Sequence, residues 1–331
     1  MALRVMSKRE RLQAAIAGEP VDRTPVVLWR HFPVDDQDPA TLADSVLAYQ
    51  REYDFDFVKV TPASSYSVSD WGVGDEWRGN PEGTRDYVRR AISKPTDWRR
   101  LRPLDPRRGA LKAQLSCLRR VLEGLAGKAP VLPTVFSPLA QAKHLAGEAL
   151  LFEHLHREPG LVRVGLETIT QSTIDFVEAA LALGVDGIFY AIQHGSHRLF
   201  DRESYRRVAG EMDQRILESA GRGWLNILHL HGEAPIFDLA VEYPVNVVNW
   251  HDRHTSPGLV EGKRRFPGAV CGGLRREETL VLGDPAAVRA EARQAIRSLG
   301  GRGLILGAGC VVPLLAPRAN LQAARQAADC A

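Results

Sequence analysis

Eight short apolar runs, each bounded by turn-forming residues, punctuate the chain: TPVVLW (24–29), FVKVTP (57–62), PVLPTVF (130–136), GVDGIFYAI (184–192), LNILHLHG (225–232), VNVVNW (245–250), GAVCGGL (268–274) and GLILGAGC (303–310). They are apolar without strict alternation, the pattern of parallel strands covered on both faces. The segments between them carry helical spacing. Leu166, Ile169, Thr173, Ile174, Val177 and Leu181 recur at intervals of three and four, which predicts an amphipathic helix lying on a sheet. DPAAVRAEARQAIRSLGG opens on Asp284 as N-cap with Pro285 at the first helical position, and closes on Gly300. The last segment, PRANLQAARQAADCA, reads as a closing helix, and SKRERLQAAIAGE as a helix ahead of the first run.

Eight strands alternating with helices predict an α/β fold and favour a (β/α)8 TIM barrel, as a single domain over residues 1–331, over an open doubly wound sheet, an alternative that the strand count alone leaves open. The least regular stretch, 63–110, is expected to be a long loop excursion after the second strand, placed over the functional end of the barrel.

Composition narrows the function. The 331 residues are 44% hydrophobic and 25% charged, with a net charge of +3 and arginine pairs interspersed with acids and prolines. That argues against a nucleic-acid footprint, and the expected partner is a small-molecule substrate. No run approaches the 18 or so consecutive apolar residues of a membrane span. Charges stand where a secretory signal would have its apolar stretch, so the expectation is a cytoplasmic protein, monomeric or homodimeric. Four scattered cysteines do not make a disulfide framework, and no dinucleotide fingerprint or phosphate loop is present.

The chemistry concentrates in ILHLHGE. His229 and His231 stand two apart on the fifth run, so they point to one face near its C-terminal end. Cys310 ends the eighth run, at the same rim of a barrel. Two imidazoles and a thiolate with an open fourth position are the donor set of a catalytic zinc site, provided the fold brings the two strands together.

The opening SKRERLQAAIAGEPVDRTPV, the strand HLHGE, and the closing LGAGCVVP with PRANLQAA resemble the uroporphyrinogen decarboxylase (URO-D) superfamily over most of the chain. The resemblance implies a single (β/α)8 barrel and one of two activities: cofactor-free decarboxylation in tetrapyrrole biosynthesis, or zinc-dependent methyl transfer from a corrinoid. The decarboxylase pattern is missing at four places. An arginine-rich loop is replaced by LWRHFPVDD, an aspartate by KVTPASS, a tyrosine by His144, and a late histidine by Ala308. In the methyltransferase branch zinc is held through His-x-Cys and a later cysteine. His229 and Cys310 match those positions, and His231 stands where the first cysteine would be.

The resemblance therefore implies a zinc-dependent methyltransferase, with metal ligands His229, His231 and Cys310, a thiol acceptor, and a corrinoid brought by a partner protein. Asp252 and His251, after the sixth run, are candidate catalytic groups, Asp252 also as a support for a ligand histidine and His251 also as an extra ligand. Trp29, Arg30 and His31 at the end of the first run, and Tyr190, Gln193 and His194 around the end of the fourth, are candidate substrate contacts. Glu233 reads as a metal neighbour or a helix cap, and Trp71 as packing within the excursion. Cys117, Cys271 and Cys330 show no partner pattern. The alternatives are uroporphyrinogen decarboxylation, a zinc hydrolase and a non-catalytic binding barrel.

Overall fold

The structure, a computed structural model, describes residues 4–330, the Cys330 side chain and both extreme termini lying outside what is described. Nine strands occur among these residues: β1 (Val58–Val60), β2 (Gly74–Glu76), β3 (Asp86–Arg89), β4 (Val131–Phe136), β5 (Phe189–Ile192), β6 (Ile227–Leu230), β7 (Val247–Trp250), β8 (Ala269–Leu274) and β9 (Leu304–Ala308). Seven of them form one parallel sheet in the order β1-β4-β5-β6-β7-β8-β9, with helices in the connections. These seven coincide with seven of the eight apolar runs, and their residues are buried throughout, as expected of strands covered on both faces.

The first run, 24–29, departs from the expectation. It is not a strand of the ladder but touches both edges of the sheet. Val26 makes a single parallel bridge to Leu306, with Val27 N donating to Leu306 O (2.9 Å) and Leu306 N to Pro25 O (2.8 Å). On the other side Asp56 N donates to Val26 O at 2.9 Å. A regular ladder fails for two reasons: Pro25 has no N–H to give, and the Val26 N–H is taken by the Asp56 carboxylate at 2.7 Å.

That carboxylate also explains the N-terminal motif. The helix Lys8–Ala17 starts at a capping box between Ser7 and Glu10. From it Arg11 reaches Asp22 (2.7 Å) and Asp56 (2.6 Å), while Arg23 reaches Asp56 at 2.7 Å. Arg11, Asp22 and Arg23 thus tie the helix, the irregular first run and the approach to β1 into one buried ionic network.

The other helix signals hold. Asp284 caps Pro285–Ser298 by accepting from Ala287 N at 2.7 Å, the amphipathic pattern lies within Pro159–Ala182, and the closing helix is Arg318–Ala327. The excursion after the second run is more ordered than a loop. It holds short 3-10 turns and the antiparallel hairpin β2–β3. The turn of that hairpin crosses to the loops after β8 and β9, where Leu314 N donates to Pro81 O (2.7 Å) and Arg276 pairs with Glu82. Trp71 packs within the excursion, its indole N–H on Arg102 O at 2.8 Å.

Candidate metal centre

His229 lies inside β6 and His231 just beyond its end, so strand alternation turns both to the same side. β7 is the next strand, and its chain continues into His251; β9 is followed by Gly309 and Cys310. Gly309 is what lets these two ends meet. A Cβ there would lie 2.7 Å from His251 Cα and 2.8 Å from Trp250 O, so any larger residue would push Cys310 away.

The result is a four-membered cluster. One donor atom each from His229, His231, His251 and Cys310 falls within 4.8 Å of all the others. Cys310 Sγ is 3.7 Å from both His229 Nε2 and His231 Nδ1. Ligand bonds of about 2.0–2.3 Å in tetrahedral array place neighbouring donors roughly 3.5 Å apart, so the spacing fits a zinc-sized ion. His251 Nε2 is buried without a hydrogen-bond partner among the described residues, an uncompensated ring nitrogen that a metal would satisfy. The predicted trio therefore converges, and His251 joins it as a fourth donor.

Asn249, which sequence reasoning passed over, orients the cluster. It pairs with His229 in the β6–β7 register and is fully buried. Its Nδ2 donates to Cys271 O (2.8 Å) and Ala308 O (3.0 Å), which uses both amide protons and leaves Oδ1 facing His229 Nδ1 at 2.6 Å. An amide oxygen can only accept, so Nδ1 carries the imidazole proton and Nε2 is left with a lone pair toward Cys310. We expect Asn249→Ala to weaken metal affinity about 10–100-fold while the fold persists, measured by competition with a chromophoric chelator. Affinity within twofold of wild type would show that the tautomer is set elsewhere.

The electrostatics favour ligation at Cys310 and His229. Burial raises the Cys310 thiol, but His229 and then His231 and His251 outweigh it and hold it well below the usual thiol range. Burial lowers His229, which stays low despite Cys310. His231 is also lowered by burial, yet its contact with Cys310 raises it overall. Thiolate and neutral imidazole are the forms that bind metal. His251 also lines a cavity of about 800 Å³ with His197, Gly232, Pro235 and His254, which gives the cluster a way to solvent.

Other predicted residues fall into three groups. His31, Gln193 and His194 are near-buried with unspent polar atoms: His31 Nδ1, Gln193 Oε1 and both His194 ring nitrogens. Burial holds His31 down at about 4 and His194 at about 3, so both are neutral imidazoles. Trp29 is buried as an aromatic wall against Phe57 and Phe189, and Arg30 lies over Phe32. Tyr190 is a correction. Tyr190 faces away from the cluster, its hydroxyl donating to Asp213 at 2.5 Å, because Phe189 and Ala191 take the opposite phase of β5 and Phe189 packs on His229. Asp252 is outside the donor set and accepts from Gly273 N at 3.1 Å; burial raises it to about 6. Glu233 is paired with Arg198 at 2.5 Å.

A second residue not foreseen is Lys59 on β1. It is 7% exposed, and its ammonium sits 4.7 Å from the centre of the Phe189 ring and 5.8 Å from that of Trp29. Burial pulls it down to about 7, partly opposed by Cys310.

A family model described as uroporphyrinogen decarboxylase (URO-D) matches residues 7–330. The chain is 23% identical over 335 residues to the methylcobamide:CoM methyltransferase MtbA of Methanosarcina mazei, covering 95% of both proteins, and equally to that of Methanosarcina acetivorans. Among solved structures it superposes on a methyltransferase from Methanosarcina mazei with a TM-score of 0.82, at 20% identity and 98% coverage of each chain. A B12-independent methionine synthase from Shewanella shares the fold more distantly, with a TM-score of 0.60 at 13% identity over 95% of this chain and 97% of that one. The chain belongs to the uroporphyrinogen decarboxylase (URO-D) family.

Proposed function

We propose that the protein is a zinc-dependent methyltransferase that moves a methyl group from a corrinoid, carried by a partner protein, to a small thiol acceptor. The observation that carries this reading is the convergence of His229, His231, His251 and Cys310 on one point. We also read the seven-stranded sheet and the 24–29 segment together as the eight staves of a barrel whose C-terminal rim holds the cluster.

Bound there, zinc supplies a Lewis acid that lets an acceptor thiol lose its proton near neutral pH. The protein's part is to hold the donors. Cys310 contributes the one negative charge, and Asn249 keeps His229 in the binding tautomer. His231, on the solvent side of His229, would face the acceptor, and His251 would serve as fourth donor. His31, Gln193 and His194 have hydrogen-bonding capacity left for the substrate, with Trp29 and Arg30 behind them. Asp252 supports the end of β8 through Gly273. Imidazole in place of a second thiolate leaves the metal less electron-rich, which lowers the proton affinity of an acceptor and also its nucleophilicity.

The test is demethylation of methylcobalamin by the zinc-loaded protein with 2-mercaptoethanol or mercaptoacetate, followed by the change in corrin absorbance. Thiol- and zinc-dependent demethylation is expected. Release of carbon dioxide from uroporphyrinogen, with no methyl transfer, would overturn the reading in favour of the decarboxylases.

A further inference from the structure

Lys59 is a buried cation for which the cluster has no use. Among the described residues no carboxylate lies within ion-pair distance of it, and its one hydrogen bond is to Thr61 Oγ1 at 3.1 Å. The faces of Trp29 and Phe189 compensate a cation only partly. With no anion beside it the buried amine is only marginally charged near neutral pH, held down at about 7, so its isolation points to an anion that arrives with a ligand and favours the ammonium.

The location identifies which ligand. Lys59 Nζ is 4.7 Å from the Phe189 ring, and that ring is 5.5 Å from the imidazole of His229, so two short steps join the ammonium to the donor set. His31 lies within electrostatic reach of both Lys59 and Cys310, and its buried Nδ1 has no partner. Charge points the same way. One thiolate against a divalent ion leaves a net positive centre, and Lys59, packed against the faces of Trp29 and Phe189, adds to it.

We propose that Lys59 is a specificity-determining residue: the methyl acceptor carries, a few bonds from its nucleophilic atom, a fixed oxyanion such as a carboxylate, which the Lys59 ammonium and the His31 ring bind. This rests on the metal-centred reading above. The oxyanion sets how far the acceptor enters and which way its nucleophile points, so Lys59 acts through positioning rather than on the reacting atoms.

The test compares matched thiols by calorimetry on the zinc-loaded protein. Mercaptoacetate should bind roughly 10–100-fold tighter than 2-mercaptoethanol, the worth of one hydrogen bond to a charged group. In Lys59→Met that ratio should fall toward one, and Lys59→Arg should restore part of it, whereas a merely structural lysine would shift both thiols alike. Equal affinities for the two thiols in the wild type, or an unchanged ratio in Lys59→Met, would overturn the proposal. Should neither thiol bind, the metal–thiol reading fails instead. The anion site is then decided by acetate on the protein as purified: a rise in melting temperature that Lys59→Met abolishes supports it, and no rise refutes it.

Discussion

Replacing Cys310 by alanine should abolish methyl transfer and cut metal affinity by more than about 100-fold, the upper end of what losing an outer hydrogen-bonding partner costs. The expectation follows from charge. Cys310 is the one thiolate of the cluster, it touches two of the three imidazoles at 3.7 Å, and it is 9% exposed, so no water replaces it freely. Without it the site is three imidazoles with no negative charge to offset a divalent ion. His229→Ala should behave similarly, because His229 is 4% exposed and locked by Asn249. Replacing His231 or His251, which are less buried, should cost less. The check is metal content after dialysis, with methylcobalamin turnover on the same samples. Retained zinc and activity in Cys310→Ala would remove the sulfur from the account.

The largest effect on stability should come from Asp56→Ala, far from the cluster. Asp56 is fully buried and receives Arg11, Arg23 and the Val26 N–H. Its removal leaves two guanidinium groups and a backbone donor short of a partner, which typically costs about 3–5 kcal/mol. Because Val26 holds the segment between the two edges of the sheet, loosening it should propagate to Leu306 and β9, and so to Cys310. Equilibrium denaturation by urea measures it, and a loss under about 1 kcal/mol would show that the ionic network is not what holds the first run in place.

How far the sequence was legible depends on which signal each residue leaves. Seven strands and the main helices could be read because apolar runs and caps are local. The first run misled because its hydrophobicity matches a strand while Pro25 and the distant Asp56 carboxylate withhold the ladder. His229 and His231 announced themselves as imidazoles in an apolar run, and GAGC as glycine beside cysteine. Asn249 did not, since its meaning lies in the β6–β7 register that places it beside His229. Lys59 reads as one polar residue in a strand, and only the closed interior shows it unpaired. Tyr190 was assigned to the wrong face because GIFYAI is apolar at every position, so nothing in it sets the phase of alternation; the phase is fixed by Asp213 on a helix 23 residues away.

The central claim is that three imidazoles and one thiolate hold a single zinc. Zinc-edge X-ray absorption of the wild-type protein, with metal content measured in parallel, tests it most directly. The account predicts one zinc per chain, with a single sulfur at about 2.3 Å and nitrogen scatterers at about 2.0–2.1 Å. Absence of stoichiometric metal from the wild type, or a spectrum without sulfur, would contradict it.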